Sequence, residues 1–326
     1  MSKLQLKLFG ELCFLRGAQR IASFRYDKVR GLLAYLAISD EASHRRESLA
    51  HLLWPSSGAE QARSNLRYAL FDLRRLLGAD ADRLLTITRN TLSFRTSLLD
   101  AFDYAELFAD LPCPRESTGA LQALERQAAL YGGPLLDGLA VDDAPGFERW
   151  LADRREDALG RTLALHERLA DHYESIGRWD DALRHVRRQV VLAPWQENDY
   201  RRLMKLLAAK GQVSQALQAF ESCRRYLAQE LGVEPDLATL ELANALRESR
   251  SILDGRPSSP PLRQQRLPVT ALVCRLRLPT DADPDDAVEA FSAPRGLMTE
   301  IVAARGGHCV PLHGGVIAAY FGYPVA

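Results

Sequence analysis

Polar and apolar residues alternate with period two over residues 3–9, KLQLKLF, and the pattern resumes from Glu11 to Arg16 after Gly10. That alternation predicts a short antiparallel hairpin with one buried face. The period then lengthens. From Phe24 to Ile38 the apolar positions Val29, Leu32, Leu33, Tyr35, Leu36 and Ala37 fall largely on one side of a helix. Glu47 to Trp54 predicts a second helix, stopped by Pro55. Ser57 to Gly78 predicts a third, with Ala62, Leu66, Ala69, Leu70, Leu73, Leu76 and Leu77 on its core side. Ser57 with Glu60 has the spacing of a capping box, and Gly78 can take the left-handed conformation that ends a helix. Leu84 to Arg95 gives two β-rich runs around the turn-prone pair Arg89-Asn90.

A hairpin, three helices and a closing hairpin are the order of a winged helix-turn-helix, with the third helix reading a groove and the last hairpin as wing. The outer face of the third helix fits that role. It carries Ser64, Arg67, Tyr68, Phe71 and Arg75, flanked by Arg63 and Arg74. Arginines meet phosphates or guanine edges, and aromatics touch thymine methyls, whereas a helix facing only water has little use for two exposed aromatics.

Charge sharpens this. The chain of 326 residues balances 42 Lys and Arg against 42 Asp and Glu. Residues 1–99, however, hold 16 basic against 9 acidic residues, so a polyanionic partner is expected for that part alone. Cysteines 13, 113, 223, 274 and 309 are isolated, which fits a reducing compartment and neither a disulfide framework nor a zinc site. No secretory signal and no membrane-length apolar run are visible, so a cytoplasmic protein with no membrane partner is expected.

Beyond residue 99 the pattern is almost wholly helical up to residue 250. Leu169, Tyr173, Gly177 and Ala182 recur as Leu203, Leu207, Gly211 and Ala216, each pair 34 residues apart. That period, with Gly at the turn and a small residue where paired helices touch, is the tetratricopeptide signature. Ser251 to Arg266, rich in Pro, Ser and Arg, reads as a linker. In residues 267–326 a strand over LPVTALVCRL, a helix from Asp285 to Arg305 and two strands between Gly307 and Gly322 make half of a ferredoxin-like unit. The expected architecture is therefore multidomain and mainly α. A winged-helix domain spans 1–99, a tetratricopeptide-like domain 100–250, a linker 251–266 and a partial ferredoxin-like α/β segment 267–326.

Specific residues carry resemblances to known families. The run DKVRGLLAYLAI…RRESLAHLLWPSSGAEQARSNLRYALFDLRRLLG resembles the winged helix, of response-regulator output type, in activators of the Streptomyces antibiotic regulatory protein (SARP) type. It does so at Lys28, Arg30, Arg46, Leu53-Trp54-Pro55, Asn65-Leu66-Arg67 and Leu73-Arg74-Arg75, among others. The segment from YGGPLLDGL to LAQELGVEPD resembles the bacterial transcriptional activator domain, which follows the winged helix in that family. The tail resembles the opening of class III nucleotide cyclase domains at Pro268–Leu272, Gly306-Gly307-His308 and Tyr320–Ala326. Those enzymes hold two metal ions on two aspartates; here Arg275 and Gly315 stand at the corresponding positions. A degenerate, inactive segment is expected.

These resemblances imply a sequence-specific transcriptional activator that binds double-stranded DNA at promoter direct repeats, contacts RNA polymerase and can pair as a homodimer on DNA. The DNA-binding residues expected are Arg63, Ser64, Asn65, Arg67, Tyr68, Arg74, Arg75, Arg89 and Asn90. Arg67 and Tyr68, with Ser64 or Asn65, are placed near base edges. Arg63, Arg74 and Arg75 are placed on phosphates, and Arg89-Asn90 in the adjacent minor groove. The alternatives are an interaction scaffold built on the helical repeats and, against the missing aspartates, a nucleotide cyclase. No phosphate-binding loop or G-x-S-x-G elbow occurs, and the histidines show no metal-ligand clustering. No cofactor, metal or catalytic residue is expected.

Overall fold

The alternating LQLK run forms strand β1 (Leu4–Lys7), which pairs antiparallel with β2 (Cys13–Arg16) in the register Leu4 with Arg16 through Lys7 with Cys13. Leu4, Leu6 and Phe14 point into the core, each at most 1% exposed. Two very short strands extend this sheet: β3 (Gln19–Arg20) beside β2 and β7 (Ala101–Phe102) parallel to β1, in the order β3-β2-β1-β7. The computed structural model describes residues 3–21, 24, 26–39, 43–110, 118–253, 270–275, 296–305, 307–312 and 316–321. The fold is mainly helical. Residues Met1–Arg250 pack as one compact unit and Ser251–Ala326 as a second.

In the first unit the three expected helices are α1 (Asp27–Ile38), α2 (Arg46–Leu53) and α3 (Ala59–Leu77). The apolar stripe of α3 is buried as its spacing requires, with Leu66, Ala69, Leu70, Leu73 and Leu77 at most 5% exposed. Its N-terminus differs from the expected capping box. The cap is Gly58, no side chain caps the helix, and the Ser57 amide is instead bonded back to the Trp54 carbonyl (3.2 Å). The Trp54-Pro55 turn takes up the Ser57 amide and moves the cap on by one residue, to Gly58. At the other end Gly78 has φ 57° and ψ −128°, a combination open to glycine and costly for a residue with a Cβ.

After α4 (Ala81–Leu84), β5 (Leu85–Ile87) and β6 (Thr91–Phe94) form the closing hairpin, and β4 (His44–Arg45) pairs with β6 to give the order β4-β6-β5. α5 (Asp103–Phe108) and α6 (Thr118–Ala129) precede the 31-residue helix α7 (Pro145–Ser175), which begins with proline, the residue suited to a first helical turn. Then come α8 (Trp179–Leu192), α9 (Glu197–Ala209), α10 (Val213–Tyr226), a π turn at Leu227–Leu231 and α11 (Leu237–Leu253). α11 therefore takes up the first three residues of the segment read as linker.

The 34-residue recurrence has a structural counterpart. Gly177 and Gly211 have φ of 72° and 74°. Each is followed by a residue whose amide returns to the helix before it, Arg178 to Tyr173 O and Gln212 to Leu207 O, both at 2.9 Å. Ala182 and Ala216 are both fully buried where the paired helices meet.

The second unit holds β8 (Thr270–Arg275), a helical run over 296–303, β9 (Gly307–Leu312) and β10 (Val316–Phe321), with β10 central and antiparallel to both neighbours. The first part of the expected helix, from Asp285, and Gly315 lie outside the described residues.

Candidate nucleic-acid interface

Helix α3 is about 28 Å long at 1.5 Å per residue and is anchored along one side by leucines. Its opposite side is bare: Arg63, Arg67, Tyr68, Phe71, Arg74 and Arg75 are exposed, with Tyr68 and Phe71 at 70% and 66%. Ser64 and Asn65 are half-buried. Burial of those two large rings would stabilise the fold by a few kcal/mol, so their exposure calls for a partner surface.

The first half of α3, the start of α2 and the tip of the β5–β6 hairpin enclose a cleft of about 1060 Å³. Arg63 and Arg67 line it from the helix, Arg89 and Asn90 from the hairpin, and Arg45 and Arg46 from the start of α2. The acids on its wall are Glu47 and Glu60, and Arg63 spends part of its charge on Glu47 at 3.3 Å. Among the described residues Arg67 and Arg89 have no ion-pair partner. Two free guanidinium groups facing a cleft from opposite walls suit a ligand carrying repeated negative charge.

The hairpin tip is held firmly. Thr88 Oγ1 accepts the amides of Thr91 (2.9 Å) and Asn90 (3.3 Å) and exchanges a bond with Thr91 Oγ1 (2.7 Å). The Arg46 amide donates to Asn90 O (2.9 Å), and its guanidinium reaches Thr88 O (3.3 Å). Arg46 thus fixes the tip to α2 while Arg89 and Asn90 project from it.

The other candidates are distributed differently. Asn65 and Tyr68 line a second cleft of about 540 Å³, beside Tyr26, Lys28 and Trp54, with Lys28 Nζ 5.6 Å from the Trp54 ring centre. Asn65 Oδ1 accepts from Gln61 at 2.9 Å. Arg74 pairs with Asp82 and Arg75 with Asp72, both at 3.2 Å, at the far end of the helix. The structure therefore gathers Arg63, Arg67, Arg89 and Asn90, sets Asn65 and Tyr68 on the adjoining side, and leaves Arg74 and Arg75 in local ion pairs. Arg45 and Arg46 were missed as site residues, although the His44-Arg45-Arg46 run at a helix start was the available signal. No group of three or more His, Cys, Asp or Glu among the described residues is placed to hold a metal, and no helix among them is long and apolar enough to cross a membrane.

The known proteins to which the chain is similar include transcription regulators. Residues 109–247, which follow the cleft-bearing part in the sequence, match the family model of the bacterial transcriptional activator domain. The chain is similar to the regulatory protein AfsR of Streptomyces griseus, 26% identical over 276 residues, 82% of this chain and 27% of that protein. It is also similar to the transcriptional regulatory protein MoaR1 of Mycobacterium bovis, 27% identical over 218 residues, 64% of this chain and 68% of that one. The chain thus spans about a quarter of the first relative and about two thirds of the second. Among solved structures, Mycobacterium tuberculosis EmbR, in complex with a low affinity phosphopeptide, shares the fold at a TM-score of 0.51 and 20% identity. That match covers 79% of this chain and 73% of EmbR.

Proposed function

We propose that the chain is a sequence-specific DNA-binding transcriptional activator of the Streptomyces antibiotic regulatory protein type. In this reading residues 1–99 act as a winged helix, with α3 in the major groove and the β5–β6 hairpin as wing. The observation that carries it is the convergence of Arg63 and Arg67 on α3 with Arg89 and Asn90 on the hairpin around one cleft. Arg67 and Tyr68 meet base edges with Ser64 or Asn65, and Arg63 meets phosphate. Arg74 and Arg75 reach phosphate only by giving up Asp82 and Asp72, so they contribute less. Arg45 and Arg46 join the phosphate contacts. The repeat helices serve as a tetratricopeptide-like surface for RNA polymerase or a second copy, and direct repeats are the site arrangement implied by the family resemblance. The 267–326 segment is read as a degenerate cyclase-like remnant, since the sequence has Arg275 at the position where the resembling enzymes have a metal-binding aspartate.

Genomic fragments retained by the protein, sequenced and retested by mobility shift at several salt concentrations, test the reading. A shared motif is expected, with affinity falling steeply as salt rises because each neutralised phosphate releases counterions. Recovery of fragments with no shared motif and no salt dependence would falsify it.

A further inference from the structure

Two cavities of about 630 Å³ each adjoin along α8, sharing Tyr131, Gly132, Arg188 and Val191, and so form one groove. It has no lining residue in common with the cationic cleft. Arg184, Arg187, Arg188 and Val191 are spaced i, i+3, i+4 and i+7, so α8 presents them on one side. The rest of the lining comes from the end of α6, the turn over 131–134 and the middle of α7.

The groove is graded along its length. One cavity holds Arg184 and Arg187, and the other holds Pro134, Leu159, Leu192 and Trp195. Val191 and Trp195 are 67% and 45% exposed. Uncovered apolar side chains beside arginines mark a contact surface, and Trp and Arg are the residues that most often anchor a protein partner.

The cations here are held in place without being neutralised. Arg155 donates to the carbonyls of Leu135 (2.8 Å), Leu136 (2.8 Å) and Leu139 (3.4 Å). Arg188 donates to the Tyr131 carbonyl (3.1 Å), and Arg187 makes a 3.4 Å contact to the Gln215 amide oxygen. All of these acceptors are uncharged, and none of the three arginines has an ion-pair partner among the described residues. Arg184 is paired with Glu125 and Asp181. Glu125 also accepts from the Tyr173 hydroxyl. Glu156 is then the one lining acid without a partner among the described residues. Three uncompensated guanidinium groups against one carboxylate favour an anionic occupant. A small inorganic anion would use the arginines and leave Val191, Leu192 and Trp195 uncovered.

We propose that this groove docks a segment of a partner protein in which acidic residues lie close to a large apolar one. The carboxylates meet Arg187 and Arg188, and the apolar side chain lies against Leu159, Val191 and Trp195. Arg187 to Leu192 is about 8 Å along α8 at 1.5 Å per residue. An extended peptide advances about 3.3 Å per residue, so an acidic and an apolar residue about two to four positions apart reach both ends. The proposal rests on the reading of the repeat helices as the activator's partner surface, and gives that surface its place and chemistry.

Random dodecapeptides displayed on phage are selected on the full chain and counter-selected on the double variant Arg187→Glu with Val191→Asp. Both positions are exposed, and circular dichroism verifies that the variant is folded. The surviving peptides are expected to carry Asp or Glu about two to four positions from Trp, Phe or Leu. The best of them, labelled for anisotropy, should bind one-to-one to the full chain and at least tenfold more weakly to Arg187→Glu alone. No DNA is present in this experiment, and a mobility shift on the same variants reports separately on the DNA-binding reading. Three results overturn the proposal: no peptide surviving counter-selection, survivors without acidic residues, or displacement of the labelled peptide by a single-stranded oligonucleotide, which would assign the groove to nucleic acid.

Discussion

Arg67 and Arg74 sit two turns apart on one helix, and their surroundings separate them. Arg67 has no partner among the described residues, whereas Arg74 shares its charge with Asp82 at 3.2 Å. Both are exposed, so neither holds the fold. Arg67→Ala is expected to reduce specific DNA affinity by about 1–3 kcal/mol, the range for a bidentate base contact. Arg74→Ala should cost less, and thermal unfolding should move little in either case. Equal losses in a mobility-shift titration would remove Arg67 from the reading face. Buried titratable residues act on stability instead. Burial lowers His166 and His185 to about 4 from 6.5, while burial raises Asp103 to about 6, against its backbone donors at Leu8 and Phe9. A lowered histidine contributes stability that is complete above pH 6.5 and is lost as pH falls through 4. A raised aspartate contributes stability that is complete below about 4 and is lost as pH rises through 6. The two effects oppose each other, and two rings outweigh one carboxyl, at about 1.4 kcal/mol per tenfold change in proton affinity. Stability should therefore fall by a few kcal/mol from pH 6.5 to 4. The double variant His166→Leu with His185→Phe should reverse or flatten that slope in urea titrations.

At the scale of elements, the hairpin tip is a small device for aiming Arg89. Thr88 Oγ1 closes the turn through two amides and one hydroxyl, and Arg46 ties the turn to α2. Thr88→Val keeps the β-branched shape and removes the acceptor. The turn is exposed, so the loss in stability should be about 1 kcal/mol. DNA affinity should fall further than stability alone explains, because Arg89 and Asn90 lose their fixed position. Unchanged affinity would mean that the tip does not touch DNA. The hairpin itself was legible from two β-rich runs around Arg89-Asn90, and α3 from its leucine spacing. The partners that fix them were not. β4 and β7 are two residues long, below the length at which any period shows, and they form only because a longer strand offers an edge. The cleft also escaped, since it joins Arg45 and Arg46 to residues more than forty positions later. The Ser57 cap failed for a related reason: its three-residue spacing to Glu60 was right, but a turn made by Trp54 and Pro55 claimed its amide first.

Across the first 250 residues one hydrophobic cluster runs from Leu4 to Leu246, so the cleft-bearing part and the repeat helices share a core. The joints are specific. Gly10 donates to Pro134 O (2.9 Å), Leu136 to Leu8 O (2.8 Å) and Asp137 to Gly10 O (2.8 Å). Tyr35 packs on Trp150 with ring centres 4.8 Å apart. Asp100 accepts the Leu4 amide at 2.6 Å, and Asp103 those of Leu8 and Phe9. A chain cut after residue 99 loses all of these partners, and the amides of Leu4, Leu8, Phe9 and Gly10 lose the acceptors at Asp100, Asp103 and Pro134. The fragment 1–250 should therefore unfold in one transition, whether followed at Trp54 or at Trp195. The joint can also be tested by a single change. A Cβ on Gly31 of α1 would lie 3.0 Å from Phe147 Cζ. Phe147 is fully buried and flanked by Trp150 at 5.3 Å, so it has little room to move. Replacing glycine within a helix gains at most about 1 kcal/mol of propensity, while overpacking costs about 1–3 kcal/mol, and a branched side chain adds further atoms to the clash. Gly31→Val should lower stability by about 2 kcal/mol and shift the unfolding midpoints at both tryptophans equally. Midpoints that separate, with Trp195 unmoved, would show that the two parts fold independently and that DNA contact at α3 carries no strain into the repeat helices.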